Sequence, residues 1–267
     1  MKLIGRILLL AFLILLISPI FVLGYFGFVP GLSSFFGSDK PRDLKIVYTE
    51  EDMKSTLVKN KIEYDALPTN TSDEESIKRV GTQDINAEFT SSEVTAYMNN
   101  VSWKNWPYRN VQVKFNGDGT GEISARLLKN KLPGYFAYMG VPRQVLDFAV
   151  KFLPIDPVIY LKGKVILTDN KMTTFDPQKF EIGRVPLPIN MFLSLSPLKI
   201  IPNVYALDIA GMGGELMKVK NKKDLISYYV NGRLSSYYSF FYVKSVYFKE
   251  NGLVFDGRLP QKELKVK

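Results

Sequence analysis

The chain writes FTSSEVTAYMNN at Phe89–Asn100 and, after a short link, VQVKFNGDGTGEISARL at Val111–Leu127. The first stretch reads as a helix start. The opening backbone N–H groups of a helix lack partners. A Thr at the N-cap accepts from one of them, and an acid three residues later reaches back to the cap's own amide. Thr90 and Glu93 have that spacing, and Phe89 precedes the cap where a hydrophobic staple to Val94 is expected. The second stretch reads as a hairpin. Val111, Val113 and Phe115 alternate with polar residues, as do Ile123, Ala125 and Leu127. NGDG between them is a turn signal, because Asn and Gly tolerate positive φ.

The same opening phrase occurs upstream as YTEEDMKSTL, Tyr48–Leu57, with Thr49 and Asp52 at the cap spacing and Tyr48 facing Met53. Helices are therefore expected over about 50–59 and 91–100, each cap contributing roughly 1 kcal/mol. A strand-like LKIVY, Leu44–Tyr48, precedes the first of them. Helix followed by hairpin is then written twice more. Pro142 opens a helix that stops before Pro154, and VIYLKGKVILTDNKMTTFDPQKFEIG follows, turning at Asp169-Asn170. A further helix is expected over Lys222–Val230, stopped by Asn231-Gly232. Its hairpin is FYVKSVYFKENGLVFDGRLP, with Asn251-Gly252 at the turn. The recurrence predicts an α+β fold, an antiparallel sheet with short helices. In the last hairpin, simple alternation puts Phe241, Val243, Ser245 and Tyr247 on one face and Phe240, Tyr242, Lys244, Val246 and Phe248 on the other.

Among 267 residues there is no Cys and no His. Thiol nucleophiles, Ser-His-Asp triads and Cys- or His-held zinc, haem and iron–sulfur sites are thereby excluded. No cofactor is expected. Asp147, Asp156, Asp169 and Asp176 sit in turn or surface contexts, which accounts for them without a catalytic pair. The net charge of +9 comes from Lys and Arg scattered among acids, not from a nucleic-acid stripe. The dense basic run is KVK followed by NKKD, in which Lys218, Lys220, Lys222 and Lys223 form a candidate patch for an anionic surface.

From Ile7 to Phe28 the sequence carries no charge, while Lys2 and Arg6 precede it. A bilayer crossing takes roughly 20 apolar residues. Basic residues on the N-terminal side place that side in the cytoplasm. The expected organisation is a cytoplasmic N-terminus at 1–6, a transmembrane anchor at 7–29, a stalk at 30–41 and an extracytoplasmic domain at 42–267, with an exposed polar loop at 67–83. The run exceeds a signal-peptide core and lacks a small-residue cleavage pattern, so the anchor is expected to be retained.

The opening FTSSEVTAYMNN before paired strands resembles that of bacterial membrane-anchored extracytoplasmic domains, some of which look like the tubular lipid-binding (TULIP-type) superfamily. The resemblance covers Phe89 to Pro260. It implies a curved antiparallel sheet wrapped around a long helix, with lipid held in the seam. The chain departs from that pattern in having no long helix among those expected, and none of the family's ligand residues is carried over.

The residues themselves leave an apolar surface as the candidate site. Phe148 and Phe152 lie on the apolar face of the helix after Pro142, and Met191, Phe192 and Leu195 lie in the Pro-punctuated apolar stretch Val185–Ile209. These five are expected to line a groove for a lipid ligand. The alternative is an interaction domain of the cell envelope, binding a protein or an anionic polymer through a sheet edge or through the basic patch.

Overall fold

The computed structural model describes residues 2–141, 156–190 and 222–267. The antiparallel sheet is the larger part of it. Eight strands belong to one sheet: β3 (Gln83–Thr90), β4 (Tyr108–Phe115), β5 (Gly121–Leu127), β6 (Val158–Thr168), β7 (Lys171–Ile182), β8 (Val185–Leu187), β9 (Tyr242–Lys249) and β10 (Gly252–Leu259). Their order is β3-β10-β9-β6-β5-β4, with β7 on the other side of β6 and β8 beyond β7. A second sheet of three strands sets β1 (Glu63–Ala66) parallel to β11 (Lys262–Lys265), which is antiparallel to β2 (Ile77–Val80). The α+β class and the antiparallel sheet are as the sequence predicts.

Helices α1 (Lys2–Phe26), α2 (Leu32–Phe36), α3 (Glu50–Asn60), α4 (Ser91–Asn99), α5 (Leu132–Tyr138) and α6 (Lys222–Ser236) complete the described elements. Both capping boxes form: the Thr49 side chain accepts from the Asp52 amide and the Thr90 side chain from the Glu93 amide, with each acid accepting in return from the cap amide. Glu93 serves twice. Its carboxylate also accepts from Ser55 and pairs with Lys59 at 2.6 Å, which ties α3 to α4.

Helix α4 closes the curl of the sheet. Strand β4 pairs with β5 on one edge; on the other, its backbone bonds to side chains of α4. Ser91 Oγ accepts from the Phe115 amide at 3.0 Å, Thr95 Oγ1 from the Val113 amide at 2.9 Å and Asn99 Oδ1 from the Val111 amide at 2.9 Å. Residues four apart stack on one side of a helix, so Ser91, Thr95 and Asn99 line up along the strand. The same helix joins two core clusters. Val94 packs against the cluster formed by Ile85, Phe89, Leu234, Val243 and Phe255 and also against the cluster formed by Val111, Val113, Phe115 and Ala125.

Several expectations are corrected. The LKIVY segment forms no strand: Lys45 has φ 62°, and the neighbouring amides bond to side chains. The Arg42 amide donates to Ser124 Oγ at 2.7 Å and the Leu44 amide to Gln112 Oε1 at 2.7 Å. Helix α6 runs through Asn231-Gly232 to Ser236, because Asn231 Oδ1 is occupied by the Met172 amide at 2.7 Å and Leu234 is buried in the core. The last hairpin turns at Glu250-Asn251, Gly252 being already paired with Lys249. The polar stretch 67–83 contains β2 and a fully buried Ser76, whose hydroxyl accepts from Trp103 Nε1 at 3.1 Å. The helix expected from Pro142 lies outside the described residues.

At the N-terminus α1 spans 25 residues and exposes every side chain from Phe12 to Leu23. Among the described residues no helix is long and apolar enough to cross a membrane. Within α1 the described side chains are Ile7 and those from Phe12 onward, fewer than the roughly 20 apolar residues of a crossing. The anchor over 7–29 is thus not established by this geometry. Where a stalk was expected, α2 folds back on α1, with Phe36 edge-on to Phe21 and Tyr25. Ser33 and Ser38 both donate to the Gly24 carbonyl.

Candidate functional site

Strand β6 has three neighbours. It pairs with β7 along most of its length, with β5 over Val158–Gly163, and with β9 at Leu167 and Thr168. Strands β5 and β9 therefore share one edge of β6 and diverge from it. Between them, Lys164, Val165 and Ile166 have β7 as their strand partner. A register shift at Lys162/Gly163 marks the same place. Gly121 permits the two arms to meet beyond the gap: a Cβ there would lie 2.9 Å from the Phe248 ring. Phe248 in turn stacks on Phe115, with ring centroids 5.1 Å apart.

The fork and α4 enclose a cleft of about 290 Å³. Val94 and Met98 of α4, Ile123 of β5, Leu161 of β6, Phe175 of β7 and Phe248 of β9 line it. The wall is almost wholly apolar. Leu161 remains 38% exposed, so the cleft communicates with solvent. Two charged residues also belong to the lining, Glu122 and Lys164. Glu122 is fully engaged, accepting from Tyr160 Oη at 2.7 Å and from Asn116 Nδ2 at 3.0 Å. Burial, and then this carboxylate, push the Tyr160 hydroxyl's pKa up.

Behind Tyr160 lies a polar network. Glu181, 1% exposed, accepts from Arg42 Nε at 2.6 Å and Nη2 at 2.9 Å and pairs with Lys179 at 2.9 Å. Burial alone would raise the Glu181 carboxyl, but the hydrogen bonds from Arg42 and Lys179 hold it below its ordinary value. The Arg42 guanidinium sits 5.1 Å over the Tyr160 ring. This arrangement ties the segment before α3 to β7 and β5. Every charged member of it is paired, so it leaves no group free for acid–base work.

Of the residues expected to form a groove, Phe148, Phe152, Met191, Phe192 and Leu195 lie outside the described residues. So do Lys218 and Lys220 of the basic patch. Lys222 begins α6, and Lys223 is exposed. Among the candidate carboxylates, Asp156 Oδ1 accepts from the Lys129 amide, Asp169 sits in the β6–β7 turn, and Asp176 bonds Gln178; Asp147 is outside the described residues. In the sequence the cleft residues mark only staple and strand positions. The signal that marks the site is Gly163 inside an apolar strand run, a mark of a bulge or of close backbone approach. A scan against protein-family models, curated proteins and solved structures finds no match for this chain.

Proposed function

We propose that the protein is a membrane-tethered, extracytoplasmic binding domain that shelters one apolar chain in the cleft at the fork, without covalent chemistry. The observation that carries this reading is the cleft itself. Ligand pockets commonly run from about 300 to 1,000 Å³ with apolar walls and a few placed polar groups, and a cleft of about 290 Å³ stands at the small end of that range. One acyl chain suits it better than a whole diacyl lipid. Exposing Leu161 to water and burying Val94, Met98 and Phe248 around a void costs packing contacts, which an alkyl occupant restores.

The tether is the second part of the proposal. Helix α1 carries an exposed, uncharged run from Phe12 to Leu23 that is apolar but for Ser18, behind Lys2 and Arg6, which supports a single-pass anchor over 7–29 with the N-terminus cytoplasmic. The sheet domain then works at the outer surface, where acyl chains are at hand.

The test is native mass spectrometry of the full chain released from bilayer nanodiscs. One co-bound lipid chain per protein is expected, and the double variant Leu161→Trp/Ile123→Phe, which fills the cleft, is expected to lose it. Retention of the same adduct by the filled variant would assign the lipid to the anchor and leave an envelope-interaction role, through a protein or anionic polymer, as the better reading.

A further inference from the structure

Resting on that reading, we infer that the cleft selects a single-chain anionic amphiphile, its oxyanion met by the Lys164 ammonium at the fork. The argument is one of charge left over. Of the two charged residues in the lining, Glu122 is committed to Tyr160 and Asn116, with the Lys162 ammonium 4.0 Å away. Lys164 is committed to nothing among the described residues. Asp176 stands opposite it across the β6–β7 ladder, but the Asp176 carboxylate takes a bond from Gln178 at 3.4 Å instead. Asp118 accepts from the Thr120 amide and hydroxyl at 2.9 and 2.6 Å. Each nearby acid with a described bond is thus turned to a partner other than Lys164.

The position of the amine follows from the fork. Lys164 is the first residue of β6 beyond the last β5 pair, Gly163–Gly121. Its Nζ reaches the tip of the β4–β5 hairpin, 3.4 Å from where a Cβ on Gly119 would be. The amine therefore stands beside the cleft and not within its apolar wall. A cationic rim over an apolar pocket favours an alkyl chain ending in an oxyanion: the tail takes the dry wall and the head offers a charge-assisted hydrogen bond. A neutral alcohol gains only the first of these, and an alkylammonium would meet a like charge. The inference names a chemistry shared by fatty acids and by monoalkyl phosphates.

The experiment uses the full chain in phosphatidylcholine nanodiscs and three diazirine-bearing probes of equal chain length: a fatty acid, an alkyl phosphate and a fatty alcohol. Photolabelling is titrated against probe concentration and mapped by tandem mass spectrometry. The expected result is labelling on cleft residues, with at least one anionic probe taken up at roughly fivefold lower concentration than the alcohol, the scale of one half-exposed ion pair. Lys164→Gln is expected to bring that anionic probe to the level of the alcohol, and Lys164→Arg to restore the difference. Preference for the acid alone, or the phosphate alone, identifies the source of the head group. Equal labelling by all three probes, or a preference that survives Lys164→Gln, would overturn the role of Lys164 while leaving the cleft as a binding site. Absence of label from the cleft with every probe would overturn the cleft reading itself.

Discussion

Thr95 Oγ1 accepts a hydrogen bond from the Val113 amide at 2.9 Å and donates one to the Val113 carbonyl at 3.3 Å. A helix side chain thereby stands where a neighbouring strand would stand, and Asn99 repeats the pattern on Val111. Thr95→Val keeps the shape and removes both bonds from a residue that is 0% exposed. Each buried backbone group left without a partner costs roughly 1–3 kcal/mol. We expect a thermal midpoint lowered by several degrees, read by circular dichroism, with Thr95→Ser closer to the wild type. An unchanged midpoint for Thr95→Val would mean that water serves the β4 edge equally well.

Acid should destabilise the fold through two buried carboxylates. Glu181 and Glu93 are each raised by burial and lowered more by their partners, Arg42 and Lys179 for the first, Lys59, Ser55 and the Thr90 amide for the second. A carboxylate whose folded pKa lies below its unfolded value contributes stability above the unfolded value, near pH 4.3. That contribution is lost as pH falls through the folded pKa. The urea midpoint should therefore hold near neutrality and fall below about pH 4.3. Glu181→Gln should be less stable at pH 7 and show a shallower fall in acid. Parallel curves for the variant and the wild type would remove Glu181 from the account.

The C-terminal end of helix α1 docks on the turn between β7 and β8. The Arg184 amide donates to the Tyr25 carbonyl at 3.2 Å, and Gly183 has φ 63° with room for no side chain, since a Cβ would lie 2.6 Å from the Phe26 carbonyl oxygen. Gly183→Ala meets both obstacles, the strained φ and the clash. In hydrogen exchange, the Arg184 amide should exchange faster in this variant while the Val243 amide in the core keeps its protection. Equal slowing or equal acceleration at both sites would point to a global effect and not to undocking.

What the sequence states locally is found in the structure. The caps at Thr49 and Thr90 need only residues three apart, and the Asp169-Asn170 turn needs two residues at positive φ, observed at 49° and 60°. What fails depends on distant partners. Asn231-Gly232 reads as a stop until Met172, far away in sequence, is seen to occupy the Asn231 side chain. LKIVY reads as a strand until the Gln112 side chain takes the Leu44 amide. The cleft was not legible because its wall is assembled from a helix and several strands distant in sequence, none of which records the fork at β6.

The alternation of β9 fails for a related reason and yields the sharpest prediction. Asp256 pairs with Ser245, but Gly257 pairs with Val243, so Lys244 is an extra residue in a bulge. Val243 and Val246 consequently face the same core although three positions apart, Val243 being 0% exposed. Simple alternation would place them on opposite faces. Deleting Lys244 should then leave every remaining β9–β10 pair in place and the core side unchanged. The losses are the solvent-exposed Lys244–Asp256 ion pair at 2.8 Å, worth little, and the Lys244 carbonyl that accepts from the Asp169 amide at 3.0 Å, worth roughly 1–3 kcal/mol if no other acceptor replaces it. Deleting Tyr247 instead shifts every following pair by one and should turn Phe248 away from Phe115. Urea titration should therefore show cooperative unfolding for the Lys244 deletion, with a midpoint well above that of the Tyr247 deletion. If the two deletions are equally disruptive, the bulge is not what brings Val243 and Val246 to one face.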